Sequence, residues 1–102
     1  MMNLYKVEGY NGGYDTYDSF ICVAPSEESA RQTHPSEYVT HITEGRWMGT
    51  YSGGVSLGKE YDNDDCLWCS FKDIRELVVT RIGTADARYS QGEVLVASFN
   101  AG

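Results

Sequence analysis

Residues 53–60, with the sequence GGVSLGKE, contain the glycine and lysine spacing of a phosphate-binding loop. Such a loop uses a serine or threonine after the lysine to hold magnesium, with a buried strand before it and a helix after it. Here Glu60 follows Lys59, residues 46–52 make a weak core strand, and residues 61–65 do not begin an apolar-faced helix. The pattern therefore favours a glycine-rich hairpin over a nucleotide site.

Cys66 and Cys69 have the C-x-x-C spacing that zinc sites and thiol redox centres use. A closed zinc site needs four ligands. The chain offers three further candidate ligands, at separations that match no standard zinc finger, and they are Cys22, His34 and His41. Two aspartates directly precede the pair, and their charge would raise a thiol pKa, whereas a redox centre needs it lowered. We therefore expect ordinary packed thiols and no cofactor, with zinc on Cys66 and Cys69 as the alternative.

Three aspartates, Asp62, Asp64 and Asp73, stand at positions one, three and twelve of a potential calcium loop. Such a loop needs an oxygen ligand at position five and a turn-forming glycine at position six. Cys66 and Leu67 hold those two positions, so solvated charge is the better interpretation.

The two histidines are the residues whose unperturbed pKa suits general base catalysis at neutral pH. Ser26 and Ser36 lie near His34 in the chain, but a serine nucleophile also needs an orienting acid and an oxyanion hole. No pattern in the sequence indicates either of them. His34 stands directly before Pro35, which is typical of the end of a helix. We therefore expect that the chain is not an enzyme.

The elements that would position these side chains follow from hydrophobic periodicity. Alternation predicts a strand at residues 3–9, with Tyr5 and Val7 on its buried side. Further strands are predicted at residues 19–24, 76–82 and 93–99. Ser26 is a suitable N-cap for a helix of two to three turns that ends at His34.

The middle of the chain, residues 36–65, is rich in glycine and predicts one or two short strands with long turns, or a hairpin. A long irregular segment in a small domain is often functional, so we expect the contact surface here. Together the elements predict one α+β domain over residues 1–102. Its antiparallel sheet has about four to five strands, with one short helix packed on a face.

Charge and composition restrict the partners. The 102 residues include fifteen acidic and eight basic side chains, which gives a net charge of −7 and disfavours direct binding to nucleic acid. An acidic surface suits a protein partner with a basic surface. The N-terminal residues lack the pattern of a signal peptide, and no run approaches the roughly 20 apolar residues of a membrane helix. With three cysteines, an odd number, the expected location is the cytoplasm of a bacterial host.

Several short segments carry a resemblance to small phage and prophage proteins. They are YDSF at residues 17–20, APSEE at 24–28, RIG at 81–83 and ASFNAG at 97–102. The chain resembles that group over roughly its first third and last quarter. The resemblance implies a phage setting and brings no activity with it.

The resulting hypothesis is a non-enzymatic, phage-type accessory protein that binds a host or defence-system protein, most concretely an inhibitor of a bacterial defence complex such as CRISPR. The predicted contact residues are aromatic anchors beside carboxylates. They are Trp47, Tyr51, Tyr61, Asp62, Asp64, Asp65 and Trp68, and for the two tryptophans burial in the core is the favoured alternative. The alternatives are the zinc-stabilised module and a binder of a small ligand or nucleotide signal. An exposed edge strand at residues 94–99 could pair two copies as a homodimer.

Overall fold

The backbone forms two antiparallel sheets and two short helices in a computed structural model, which describes residues 2–9, 16–50, 57–62 and 67–100. The first sheet has four strands, in the order β6 (Val78–Thr84), β1 (Asn3–Glu8), β2 (Thr16–Ala24) and β7 (Val94–Asn100). The second has three, in the order β3 (Val39–Thr43), β4 (Arg46–Thr50) and β5 (Leu57–Glu60). The predicted α+β class, with an antiparallel sheet of four strands and a short helix, is confirmed.

The N-terminal strands β1 (Asn3–Glu8) and β2 (Thr16–Ala24) occupy the centre of the first sheet. Tyr5 and Val7 are buried on the core face of β1, as their alternation with polar residues predicts. Opposite them on β2 stand Cys22 and Phe20, which are also buried. Because directly opposed residues of paired strands share a face, these four side chains form one apolar surface.

Strand β2 begins three residues earlier than the sequence predicted, because Tyr17 is held by contacts distant in the chain. Its ring packs edge to face on Phe99 with 4.9 Å between ring centroids. Its backbone N–H donates to the carbonyl of Leu67 over 2.8 Å. These tertiary contacts extend the strand through residues that turn chemistry alone would leave in a loop.

The helix α1 (Glu27–Arg31) is shorter than the predicted two to three turns. Its N-cap is Ser26, as predicted, since the Ser26 hydroxyl accepts a hydrogen bond from the backbone N–H of Ser29. Ala30 is buried and faces the core. The helix ends well before Pro35, and the hydroxyl of Thr33 donates to the Ser29 carbonyl over 3.1 Å at its C-terminal end.

The glycine-rich middle of the chain forms a separate sheet of three strands. The sequence predicted only one or two short strands, or a hairpin, in this region. The strands are β3 (Val39–Thr43), β4 (Arg46–Thr50) and β5 (Leu57–Glu60). Residues 46–52 were expected to make a poor core strand, yet β4 is the central strand and carries the buried Trp47. One large aromatic side chain gives the strand its burial where the periodic pattern is weak.

The C-terminal part supplies the two outer strands of the first sheet. A 3-10 helix (Phe71–Glu76) precedes β6 (Val78–Thr84), so β6 begins two residues later than predicted. The last strand, β7 (Val94–Asn100), pairs with β2 and is the outer strand on that side, as the sequence predicted for an edge strand at 94–99.

The core lies between the two sheets and the helices. The first sheet contributes the side chains described above, the second contributes Trp47, and the segment before β6 contributes Trp68, Ile74 and Leu77. All of these side chains are at most 9% exposed. The core is therefore shared, and neither sheet has one of its own.

Gly49 is required where β4 passes the beginning of β3. A Cβ atom at this position would overlap the carbonyl oxygen of Tyr38 and lie 2.9 Å from the Cα of Val39, both backbone atoms that cannot move independently. We expect Gly49→Ala to lower the free energy of unfolding by about 2 kcal/mol or more, as overpacking does. Gly83→Ala is the matched control, because the nearest atom to its Cβ would be a Leu4 methyl at 3.9 Å. Urea unfolding of both variants measures the difference, and equal stability would contradict this role of Gly49.

Candidate functional site

The structure places Trp47 in the core, the alternative to its assignment as a surface anchor. The side chain is 1% exposed. Its indole N–H donates to the carbonyl of Cys69 over 3.0 Å. The rings of His34 and Phe71 pack edge to face against it, with centroids 5.0 and 5.2 Å away. Trp47 therefore joins the second sheet to the rest of the molecule.

The other predicted anchors that the structure describes are also buried. Trp68 is 1% exposed and packs edge to face on Phe20 at 5.2 Å. Tyr61 is buried, and its hydroxyl donates to the carbonyl of Thr50. These aromatic side chains are placed inside because a small domain needs their apolar area for its core.

Asp62 has a structural role at the start of the 3-10 helix. Its carboxylate oxygen Oδ1 accepts a hydrogen bond of 2.7 Å from the backbone N–H of Phe71. A carboxylate at this position satisfies an amide that has no partner within the helix. The remaining predicted contact residues, Tyr51, Asp64 and Asp65, lie outside the described residues. Of the predicted contact residues that the structure describes, Trp47, Tyr61 and Trp68 are buried and Asp62 is half-buried, so they do not form an exposed contact surface.

The predicted thiols lie in different surroundings. Cys22 is fully buried in the core, and Cys69 is 7% exposed. Burial raises the pKa of the Cys22 thiol to about 11, and a hydrogen bond with Thr33 offsets part of that rise. Cys66 lies outside the described residues, among which no group of three or more potential ligands could hold a metal ion.

The two histidines differ sharply in environment. His34 is buried beside Trp47, and its Nδ1 accepts a hydrogen bond of 3.0 Å from the backbone N–H of Ser36. Burial lowers the pKa of His34 to about 3, so its ring is neutral at physiological pH. His41 is exposed on β3, with its Nδ1 2.9 Å from the hydroxyl of Thr40. His34 therefore shapes the turn at residues 34–36 rather than supplying a charge.

A cleft of about 540 Å³ opens between β7 and the segment that leads from α1 to β3. It is lined by residues 34–39 of that segment, by residues 94–97 of β7, and by Tyr17 and Gly92. This volume lies within the range of roughly 300 to 1,000 Å³ that is usual for ligand sites. We call this opening the β7 cleft.

The rim of the β7 cleft carries exposed apolar side chains. Tyr38, Leu95 and Val96 all line it, and they are 41%, 37% and 57% exposed. Phe99, further along β7, is also exposed. Large apolar side chains grouped at an edge strand are typical of surfaces that contact other proteins.

Acidic charge accompanies the β7 cleft. Among the described residues that line it, Glu37 alone carries a formal charge at neutral pH, since His34 is neutral. Glu93 stands immediately before Val94 at one end of the cleft, and its side chain is exposed. Neither glutamate forms an ion pair within the described part of the chain. The cleft thus combines an apolar strand edge with the carboxylates of Glu37 and Glu93.

Sequence reasoning located the edge strand of this site but not its opposite wall. Residues 34–39 contain no periodic pattern, and the predicted contact surface was placed further along the middle of the chain. The His-Pro pair at residues 34–35 indicated the end of a helix, and nothing local shows that this turn faces β7.

Comparison with family models, curated proteins and solved structures finds no match to this chain. Within the described ranges, no helix is both long enough and apolar enough to cross a membrane.

The low pKa of His34 predicts a loss of stability in acid. Near pH 5 the unfolded chain binds a proton at this ring, with its ordinary pKa of 6.5, and the folded protein does not. Stability from His34 is therefore complete above pH 6.5 and falls as the pH drops towards 3. We expect a loss of about 2 kcal/mol between pH 7 and pH 5.

The variant His34→Asn isolates this effect, because its amide oxygen can accept the Ser36 hydrogen bond and does not titrate. Urea unfolding at pH 5, 6 and 7 should show a flatter pH dependence for this variant than for the wild type. His41→Asn, at the exposed histidine, should follow the wild type. Parallel curves for all three proteins would refute the buried, neutral state of His34.

The environment of Cys22 predicts a thiol that is inert in the folded protein. With a pKa of about 11, roughly one thiol in a thousand is ionised at pH 8, and burial also excludes reagents. Iodoacetamide at pH 8 should leave Cys22 unmodified in the native protein and alkylate it in denaturing urea. Peptide mass spectrometry identifies the modified position. Alkylation of native Cys22 at the rate of a free thiol would show that the strand opens or is not packed as described.

Proposed function

We propose that this chain is a non-enzymatic accessory protein of phage type that acts by binding a protein with a basic surface in the bacterial cytoplasm. Its most concrete form is an inhibitor of a bacterial defence complex such as CRISPR. The observation that supports it best is the β7 cleft, where exposed apolar side chains of an edge strand lie beside Glu37 and Glu93.

The chemistry of the cleft suits a protein partner. Apolar side chains at a strand edge provide contact area, since burying them removes apolar surface from water. The two glutamates and the net charge of −7 favour approach of lysine and arginine side chains. The same charge repels the phosphate backbone of nucleic acid. An inhibitor of this kind would occupy basic protein surface that otherwise binds nucleic acid.

The phage setting comes from the resemblance of the segments at residues 17–20, 24–28, 81–83 and 97–102 to small phage proteins. Residues 17–20 lie in β2 and residues 97–100 lie in β7, the strand that borders the cleft, which is paired with β2. A contact surface on β7 would therefore include residues that belong to one of the resembling segments.

Expression of the chain in a bacterium with active CRISPR interference tests the proposal. A phage targeted by that system should recover plaques towards the level seen on a host without interference, and the tagged protein should co-purify with a component of the complex at moderate salt. Glu37→Lys should weaken both effects, because it reverses the charge that lines the cleft.

Glu44→Lys is the matched control, since it makes the same charge change at the exposed turn between β3 and β4. It should retain both effects. Unchanged plaque counts across the defence systems tested, together with a tagged protein that emerges without a stoichiometric partner, would rule the inhibitor out for those systems. Loss of both effects in the Glu44 variant as well would show that overall charge, rather than the cleft, controls binding.

A further inference from the structure

The walls of the β7 cleft show that it follows the backbone of the strand. It is lined by four consecutive residues of β7, from Val94 to Ala97. A register shift at Leu95 interrupts the regular alternation of this segment, since Val94 stands opposite Cys22 and Val96 opposite Ile21. β7 is also the outer strand of its sheet, and no described strand pairs with it on the side away from β2, where its backbone N–H and C=O groups are available.

The pairing of β2 identifies which backbone groups face the cleft. Both backbone groups of Val23 point towards the β7 side, because its N–H donates to Glu93 and its carbonyl accepts from Gly92. Two residues earlier, Ile21 has the same orientation and stands opposite Val96. Val96 therefore bonds to β2.

The next residue, Ala97, has the reverse orientation. It stands opposite Phe20, whose backbone groups point towards β1. The N–H and C=O of Ala97 are thus directed away from β2 and into the β7 cleft. The cleft presents a donor and an acceptor to whatever lies along it.

We propose that β7 accepts an extended, basic peptide segment of a partner protein as an added strand, seated in the β7 cleft. This mode rests on the proposed protein-binding function and specifies how that function works. Main-chain hydrogen bonds to Ala97 supply the alignment, as in other cases of strand addition. Alternate apolar side chains of the segment pack on Tyr38 and Val96 at the rim.

Charge complementarity decides between a partner and a second copy. Two copies of this chain, each with a net charge of −7, repel one another. A lysine- or arginine-containing strand is attracted, and it can pair with Glu37 and Glu93, which have no ion-pair partner among the described residues. The occupant is therefore a basic segment with apolar residues at alternate positions.

The opposite edge of the same sheet provides a matched control. Val79 on β6 stands opposite Val7, whose backbone groups point to β2, so the backbone groups of Val79 are directed outward like those of Ala97. Both side chains are partly buried against the core. Their neighbours Val78 and Val96 are similarly exposed, at 53% and 57%. Among the described residues, none from β6 lines the β7 cleft.

A titration with a synthetic heptapeptide of alternating lysine and valine, Ac-KVKVKVK-NH2, tests the proposal on the full chain. Amide resonances of Ala97 and Phe99 should shift in the nitrogen-proton spectrum, and exchange of the Ala97 amide with solvent should slow by about tenfold or more. Peptides with glutamate in place of lysine, or proline in place of valine, should bind at least about tenfold more weakly, since each removes either the charge or the strand-forming backbone.

Variants of the protein locate the added strand. Ala97→Pro removes the N–H that faces the cleft and should weaken binding of the heptapeptide by about tenfold, whereas Val79→Pro should change it less than about twofold. Circular dichroism and thermal unfolding verify that each variant is folded. If a proline variant does not fold, the pair Val96→Lys and Val78→Lys replaces it, and only Val96→Lys should weaken binding.

Several outcomes would overturn the proposal. These are resonance shifts confined to β6, equal binding by the variants of β7 and the wild type, or undiminished binding of the proline-containing peptide. A dimer in sedimentation equilibrium whose Ala97 amide is already protected would assign the edge to a second copy instead. If β7 variants that fail to bind the heptapeptide still inhibit defence and co-purify the partner, strand addition fails and the proposed function stands. If the wild type neither inhibits nor captures a partner, the proposed function fails whatever the peptide shows.

Discussion

The packing of Trp47 is the interaction on which the remaining structure depends. Trp47 lies on β4 of the second sheet, yet its ring packs against His34 of the α1–β3 turn and Phe71 of the 3-10 helix. Its indole N–H donates to the carbonyl of Cys69, in the segment before that helix. Trp47 is the largest side chain that the second sheet contributes to the core, beside the partly buried Val39 and Ile42. Because His34 contacts the same ring, the position of the cleft wall is fixed by the core itself.

The sequence predicted the first sheet well, because each of its strands has a local pattern. Tyr5 and Val7 alternate with polar residues, and the apolar runs that become β2, β6 and β7 are continuous enough to recognise. The second sheet was underestimated. Its strands are short and interrupted by glycine, and what orders them is burial of Trp47 and close passage of Gly49 under Tyr38, which are contacts between distant residues.

The site was predicted only in part, for a related reason. For Trp47 and Trp68 the sequence left both burial and surface contact open, because the residues around them have no periodic pattern that separates core from surface. Both rings are buried. The edge strand β7 was recognisable from its apolar run at the end of a sheet. The facing wall at residues 34–39 was not, because a cleft between segments about sixty residues apart exists only after the sheets have packed.

The order of the strands also has a consequence for synthesis of the chain. β1 and β2 are made before β6 and β7, yet Lys6 of β1 pairs with Thr80 of β6, and β2 pairs with β7. A two-stranded hairpin is marginally stable by itself in water. The outer backbone edges of β1 and β2 therefore stay without their partner strands until residues 78–100 have been made. An unpaired strand edge is a template for pairing with other chains, so this order of synthesis exposes the newly made protein to aggregation.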